Sequence, residues 1–391
     1  MERLQAYYEK LLRETTHSFH RYLYSEINWT ARMIGIVGPR GVGKTTLVLQ
    51  HIKEQLPRQE SLYVTAEDLY FSTHHLVDLA DAFARTGGRY LFIDEIHKYK
   101  DWSRELKLIY DYHAELQVVF TGSSVLDIVQ GLGDLSRRAR MYHMQGLSYR
   151  EYLHLFCNKE LPVYTLEQIL NHQVELPSDF LPLQHFNNYL QQGYYPFSAA
   201  NDDFVSYLKQ IVNVTLENDI PQYAELTAST ARKLKQLLSI IAQAAPFKPN
   251  FTSIAGQMGV SRNSVADFCA YIEKSGLIGQ LREPTSGLQV LGKVDKIYLD
   301  NATLIYALGS LSVEIGTIRE TFFFNQMRLR HHITASPVSD FLIDKHYTFE
   351  VGGKKKRQRQ IQGVSDAFVV KDDIETGYGN IIPLWMFGLT Y

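Results

Sequence analysis

The stretch Gly38-Pro39-Arg40-Gly41-Val42-Gly43-Lys44-Thr45-Thr46 fits the pattern G-x-x-x-x-G-K-[ST] and decides how the first part of the chain is read. Gly38, Gly41 and Gly43 let the backbone take conformations that other residues resist and come close to a ligand. The N–H groups of such a loop point inward and cradle phosphate oxygens. Pro39, Arg40, Val42 and Thr46 complete the loop, Lys44 supplies positive charge for the β- and γ-phosphates, and Thr45 supplies a hydroxyl for Mg²⁺. The flanks agree. Met33–Val37 is an apolar run of strand length, and Leu47–Ile52 suits a helix that continues through Leu56 and stops at Pro57. The N-terminus of that helix adds the positive end of its dipole. A glycine-rich turn that binds nothing has no use for Lys44-Thr45 at this spacing, so nucleotide phosphate is the expected ligand.

The bulk numbers bound the rest. A chain of 391 residues is long enough for two to four domains, and 45% hydrophobic residues without a long apolar run indicate a globular chain with no membrane span. Forty basic against 42 acidic residues give a net charge of −2, so any nucleic-acid binding has to come from a local patch. Met1–Gln5 does not resemble a signal peptide, and Cys157 and Cys269 lie far apart without metal spacing. Free thiols and a cytoplasmic location are expected.

Residues 1–30 read as an amphipathic helix, with Leu4, Tyr7, Tyr8, Leu11 and Leu12 at helical spacing. Further strands are expected at Ser61–Thr65, Tyr90–Ile93 and Gln117–Thr121, with helices around 73–85 and 103–113 between them. Strands alternating with helices imply a parallel sheet covered on both faces, with ligands at the carboxyl ends of its strands. Asp94-Glu95 follows the third strand as a Walker B pair. Asp94 is expected to hold Mg²⁺ together with Thr45, and Glu95 to activate the attacking water. Thr121-Gly122-Ser123-Ser124 ends the fourth strand, where Ser123 senses the γ-phosphate or caps a helix. In Arg137-Arg138-Ala139-Arg140, Arg138 is the expected cation beside the γ-phosphate.

The segments Gly38–Thr46, Leu91–Glu95, Phe120–Ser124, Arg138 and Leu147-Ser148-Tyr149-Arg150-Glu151-Tyr152-Leu153 resemble those of prokaryotic AAA-superfamily ATP-binding proteins of the origin-recognition and STAND type. Phe186–Leu190 with Gly193–Pro196, and Lys296–Asp300, extend the resemblance over essentially the whole chain. Tyr149 stands where the family usually has Phe. The resemblance implies ATP and Mg²⁺ as cofactors, slow ATPase activity and a C-terminal domain of undefined role.

Four segments are expected: an AAA-type P-loop domain with its N-terminal helix over 1–160, a helical lid over 161–245, a winged helix over 246–290 and an α/β domain over 291–391. In the lid, Tyr164–Val174, Asp203–Asp219 and Ala228–Ala244 have helical periodicity. Phe251–Val265 reads as helix, glycine turn and a second helix capped by Ser261, and Ser275–Ile278 opens a wing. The second helix exposes Arg262, Asn263, Ser264 and Asp267, for double-stranded DNA or for a protein contact. Glu320, Asp340 and Glu350 resemble the acidic residues of the restriction-endonuclease fold, but Gly352 stands where that pattern wants lysine. A degenerate, non-cleaving domain is therefore expected. Lys354–Arg359 is the most basic run, a phosphate contact or a solvated face. Pro383–Phe387 reads as a buried closing strand. The expected whole is an ATP-driven switch that engages DNA or a protein, with an ATP-gated DNA binder or nuclease as the alternative.

Overall fold

The computed structural model describes residues 2–391 apart from 17, 123–134, 136, 201–202, 225, 286–291, 310–313 and 357. The chain forms two compact units, Met1–Gly146 and Leu147–Tyr391.

The first unit is built on a sheet of β1 (Met33–Val37), β2 (Ser61–Thr65), β3 (Tyr90–Asp94), β4 (Gln117–Gly122) and β5 (Arg140–His143). Its order is β2-β3-β4-β1-β5, and all four pairings are parallel. Every residue of β1 is buried, as a central strand covered on both faces requires. Helices Lys44–Gln55, Leu76–Arg85 and Trp102–Tyr112 connect the strands. The edge strand β5 has no signal in the sequence. Its Arg140 and His143 are exposed and its basic lead-in reads as a turn, yet it pairs with β1 from Ile34↔Arg140 to Val37↔His143.

The N-terminal segment departs from the expected single helix. The helix ends at Glu14, and Lys53 and Gln50 then hold the next carbonyls. Lys53 Nζ donates to Thr15 O at 2.6 Å, and Gln50 Nε2 to Thr16 O and Phe19 O at 3.0 and 2.8 Å.

In the second unit, helix Tyr149–Cys157 carries a capping box. Ser148 Oγ also donates to Tyr391 O at 2.7 Å, and Arg150 Nε to the same oxygen at 2.9 Å. These bonds tie the segment to the chain's last residue, within the second compact unit. The expected helix Tyr164–Val174 shrinks to Leu166–Leu170, whereas Ala228–Ala244 forms in full. Phe251–Met258 and Arg262–Lys274 follow as helices, with Gly259 left-handed at φ +62° and Ser261 Oγ accepting from Ser264 N at 3.0 Å. Strands β6 (Ile278–Arg282) and β7 (Val294–Leu299) form an antiparallel pair, and Phe247 bridges to Ile297.

The last sheet comprises β8 (Ile333–Ala335), β9 (Phe341–Ile343), β10 (Tyr347–Gly352), β11 (Ala367–Lys371) and β12 (Ile381–Pro383), in the order β12-β11-β10-β9-β8. The first two pairings in chain order are antiparallel and the last two parallel. Helix Ile315–Met327 lays Phe323 between Phe341, Phe349 and Phe387, at ring separations of 5.1, 5.2 and 4.8 Å. The expected strand Pro383–Phe387 is a correction. Only Pro383 is in a strand, and Leu384–Leu389 is a buried 3₁₀ turn. The run is apolar because it is buried, and short apolar runs do not distinguish strand from helix.

Burial pushes the imidazole of His51, stacked on Trp29 at 3.7 Å, down to about 4 from its ordinary 6.5. Its folded pKa is depressed, so its stabilising contribution is full above 6.5 and is lost as pH falls toward 4. His51→Phe keeps a stacked ring without the titration. Denaturant unfolding of the variant should lose less stability between these pH values than the wild type does. Equal losses would refute neutral burial.

Candidate functional site

The loop after β1 has a steric reason at each glycine. Gly41 and Gly43 sit at φ +85° and +99°, where a side chain is strained. A Cβ on Gly38 would collide with the main-chain oxygen of Met144, which follows β5 and donates its N–H to Val37 O at 2.7 Å. Gly43 is the N-cap of helix Lys44–Gln55, so that helix directs its free N–H groups into the loop. Lys44 is buried, and its ammonium donates to Gly38 O at 2.8 Å and Pro39 O at 2.9 Å. A buried cation at the N-terminus of a helix that follows a glycine-rich turn suits an anion.

Sheet order brings the acidic pair to this loop. β4 lies between β1 and β3, so the carboxyl ends of all three converge. Asp94 closes β3 and is 4% exposed. Its Oδ2 accepts from Thr45 Oγ1 and from Tyr63 OH, both at 2.6 Å, and its Oδ1 accepts from the Thr121 hydroxyl. Glu95 N–H lies 3.2 Å from Asp94 Oδ1. Asp94 and Thr45 thus present adjacent hard oxygens, a donor set that suits Mg²⁺ shared with phosphates. Glu95 itself is left-handed at φ +51°, and its Oε2 stands 3.5 Å from Nδ1 of the buried His97. Thr45, Asp94 and Glu95 therefore stand together beside the loop Gly38–Thr46.

Tyr63 is a site residue that sequence reading missed. Burial first, and then the Asp94 charge, push its ionisation well above the ordinary range, so it stays a neutral donor. The signal is a tyrosine in the middle of the buried run Leu62-Tyr63-Val64, because a buried tyrosine hydroxyl needs a partner.

Arg138 stands away from the loop. Its guanidinium binds Asp111 through Nε and an Nη at 3.0 and 3.1 Å, near the Tyr110 ring. Tyr110 in turn lies under Arg32, the residue just before β1. Arg138 precedes β5, which runs parallel to β1. It therefore belongs to the amino edge of the sheet, opposite the phosphate loop. Ser123 lies outside the described residues, as does Arg357 of the basic run.

In the second unit Glu320 and Asp340 share one lysine, and Glu350 is paired with another. Lys296 Nζ, on β7, reaches Glu320 Oε2 at 3.0 Å and Asp340 Oδ1 at 3.4 Å, and Tyr298 OH donates to Glu320 at 2.9 Å. Asp340 Oδ2 accepts from Val351 N at 2.9 Å. The buried Glu350 is paired with the Lys356 ammonium and the Ser339 hydroxyl. The stem of Lys356 lies in the space a side chain on Gly352 would need. Burial opposes the charge on Lys296, but the Glu320 and Asp340 carboxylates outweigh it and hold its pKa above the ordinary lysine value. Among the described residues, no group of three His, Cys, Asp or Glu side chains is placed to hold a metal ion.

Residues 30–153 match the family model of an AAA domain. That segment contains the phosphate loop Gly38–Thr46 and the pair Asp94-Glu95. Residues 183–314 match a domain of unknown function, DUF8612. An uncharacterized protein of Methanocaldococcus jannaschii, MJ1637, is 26% identical over 266 residues, which cover 63% of this chain and 56% of that protein. The chain thus spans a little over half of that relative. The Walker-type ATPase PABY2304 of Pyrococcus abyssi is similar at a TM-score of 0.45 and 13% identity, over 74% of this chain and 95% of that one. PCH-2 of C. elegans is similar at 0.27 and 15%, over 68% and 67%. Likeness at these scores says nothing about activity. Among the described residues, no helix is long and apolar enough to cross a membrane.

Lys44→Ala should abolish nucleotide binding, measured by titration with a fluorescent ADP analogue. Gly38→Ala should weaken it at least tenfold, since the loop must shift away from Met144 to admit the methyl group. Wild-type affinity in either variant would mean that phosphate binds elsewhere.

Proposed function

We propose that this protein is an ATP-binding and slowly ATP-hydrolysing switch of the AAA superfamily, with nucleotide state controlling the engagement of DNA or a protein partner. The observation that carries the reading is the carboxylate of Asp94, held by Thr45, Tyr63 and Thr121 at the mouth of the phosphate loop. The loop N–H groups and Lys44 bind and orient the β- and γ-phosphates. Thr45 and Asp94 are the residues that would hold Mg²⁺, which when bound neutralises charge across the phosphates. Tyr63 and Thr121 keep Asp94 aimed. Glu95, beside His97, takes the proton of the attacking water.

The helix pair Phe251–Met258 and Arg262–Lys274, followed by the β6–β7 hairpin, supports the winged-helix reading and, with it, DNA as the partner. Arg262, Asn263 and Asp267 are exposed on the second helix. One arginine beside one aspartate is a thin footprint for phosphate, and the same exposed helix suits a protein partner. The seating of Lys296 and Lys356 on the three carboxylates speaks for a non-cleaving C-terminal domain.

Turnover of ATP with Mg²⁺, with and without duplex DNA, tests both readings. Glu95→Gln should retain nucleotide affinity and hydrolyse at least tenfold more slowly, about the contribution of one general base. Normal hydrolysis by that variant would overturn the assignment of Glu95. Stimulation by duplex DNA that fades steeply with salt would establish DNA as the partner. Turnover indifferent to DNA at low salt would leave the protein-partner switch.

A further inference from the structure

The inside of a phosphate loop is described by its N–H groups, but each peptide also has a carbonyl that must go somewhere. Where the N–H points in at phosphate, the carbonyl points out, toward protein. Val42 lies between the two left-handed glycines at the crown of the loop and is fully buried. A buried carbonyl without a donor is costly, and a loop that leaves it unpaired turns its peptides to find one.

Arg21 supplies the donor. It comes from the irregular segment after the first helix and is 5% exposed. One Nη donates to Val42 O. The other donates to Gln145 O at 2.7 Å and Gly146 O at 2.9 Å. These two carbonyls belong to the segment that continues β5 alongside the loop, where Met144 bars a side chain at Gly38. One rigid fork thus spans the crown of the loop and the strand extension beside it, and it does so as a charged donor, whose hydrogen bonds are the stronger kind.

We propose that Arg21 is a positioning residue of the nucleotide site. By fixing the Val42 carbonyl outward, it sets the Gly41–Lys44 peptides with their N–H groups toward phosphate. It acts through the loop and does not touch the nucleotide. The inference rests on the nucleotide-binding reading above and deepens it.

The test uses the full chain, with ADP as the probe. Arg21→Met and Arg21→Lys are compared with wild type for ADP affinity, for the phosphorus NMR resonance of the bound β-phosphate, and for thermal unfolding without nucleotide. Tyr22→Phe is the control. It removes a hydroxyl from the same segment, which donates to His143 O at 3.1 Å and accepts from Gln145 N at 3.3 Å, and so disturbs the strand extension while leaving the bond from Arg21 to Val42 O in place. Arg21→Met should bind ADP about tenfold or more weakly, the scale of a lost charge-assisted hydrogen bond. Arg21→Lys should fall between, because a point-like ammonium cannot span both sets of carbonyls. In both, the β-phosphate resonance should move from its wild-type position, whereas Tyr22→Phe should match wild type. If Arg21→Met does not fold, Arg21→Lys decides in the same way. Unchanged ADP affinity, an unmoved β-phosphate resonance, or an equal loss in Tyr22→Phe would each overturn the role and leave Arg21 a plain brace. Absence of ADP binding in wild type would instead remove the nucleotide reading itself.

Discussion

The first unit depends on a buried carboxylate that, among the described residues, is held by three hydroxyls and a main-chain N–H. Moving a carboxylate out of water is costly unless its lone pairs are met. Asp94 meets that cost with three hydroxyls from three elements: Thr45 on the helix after β1, Tyr63 on β2 and Thr121 on β4. Neutral donors leave its negative charge in place. A carboxylate so held is fixed in direction yet still available to a cation, which a lysine seated on it would preclude. The strand order makes this possible, because β4 brings Thr121 between the phosphate loop and the acidic pair. The geometry of the site is therefore a property of the sheet as much as of the loop.

The second unit solves the same problem in the opposite way. Glu320 on a helix, Asp340 in the bend before β9 and Glu350 on β10 are likewise buried or half-buried, but they face Lys296 and Lys356. Burial and the neighbouring Asp340 raise the pKa of Glu320, which is what crowded carboxylates do, and the Lys296 ammonium offsets part of that. Ion pairs of this kind fill the space and charge that a cation would otherwise occupy. Gly352 belongs to the same arrangement. A residue with a side chain there would displace the stem of Lys356. The departure from the endonuclease pattern at 352 and the lysine four residues later are thus one packing solution.

Much of this was legible in local sequence, and the rest failed for identifiable reasons. The strands Met33–Val37 and Ser61–Thr65 stand where the apolar runs place them, and helix Ala228–Ala244 matches its period residue for residue. Gly38, Lys44, Thr45 and Asp94 sit together because their motif specifies a turn and a strand end, both local properties. What was not legible depends on partners far along the chain. β5 is recognisable only from its pairing with β1. Tyr63 and Arg21 look like ordinary core and surface residues until the residue at Asp94 or Val42 is placed opposite them. Arg138 lies elsewhere for the converse reason. A basic cluster after the fourth strand says that a cation is near the site in sequence, but not which edge of the sheet it joins.

That asymmetry has a physical basis. A loop that binds phosphate must expose N–H groups, so its own residues are constrained to be small, and the constraint is written in consecutive letters. The carbonyls that the same peptides turn outward have no preferred residue type of their own. Their partner is whatever donor the fold brings near, here a guanidinium some twenty residues upstream. The inward half of such a site is therefore readable as a motif and the outward half only as a structure. The same holds for Asp94, whose position follows from a strand-end pattern while two of its three hydroxyl partners come from neighbouring strands. Residues that act by holding a motif in shape are consequently the ones a motif search passes over, although the shape they hold is what the motif requires.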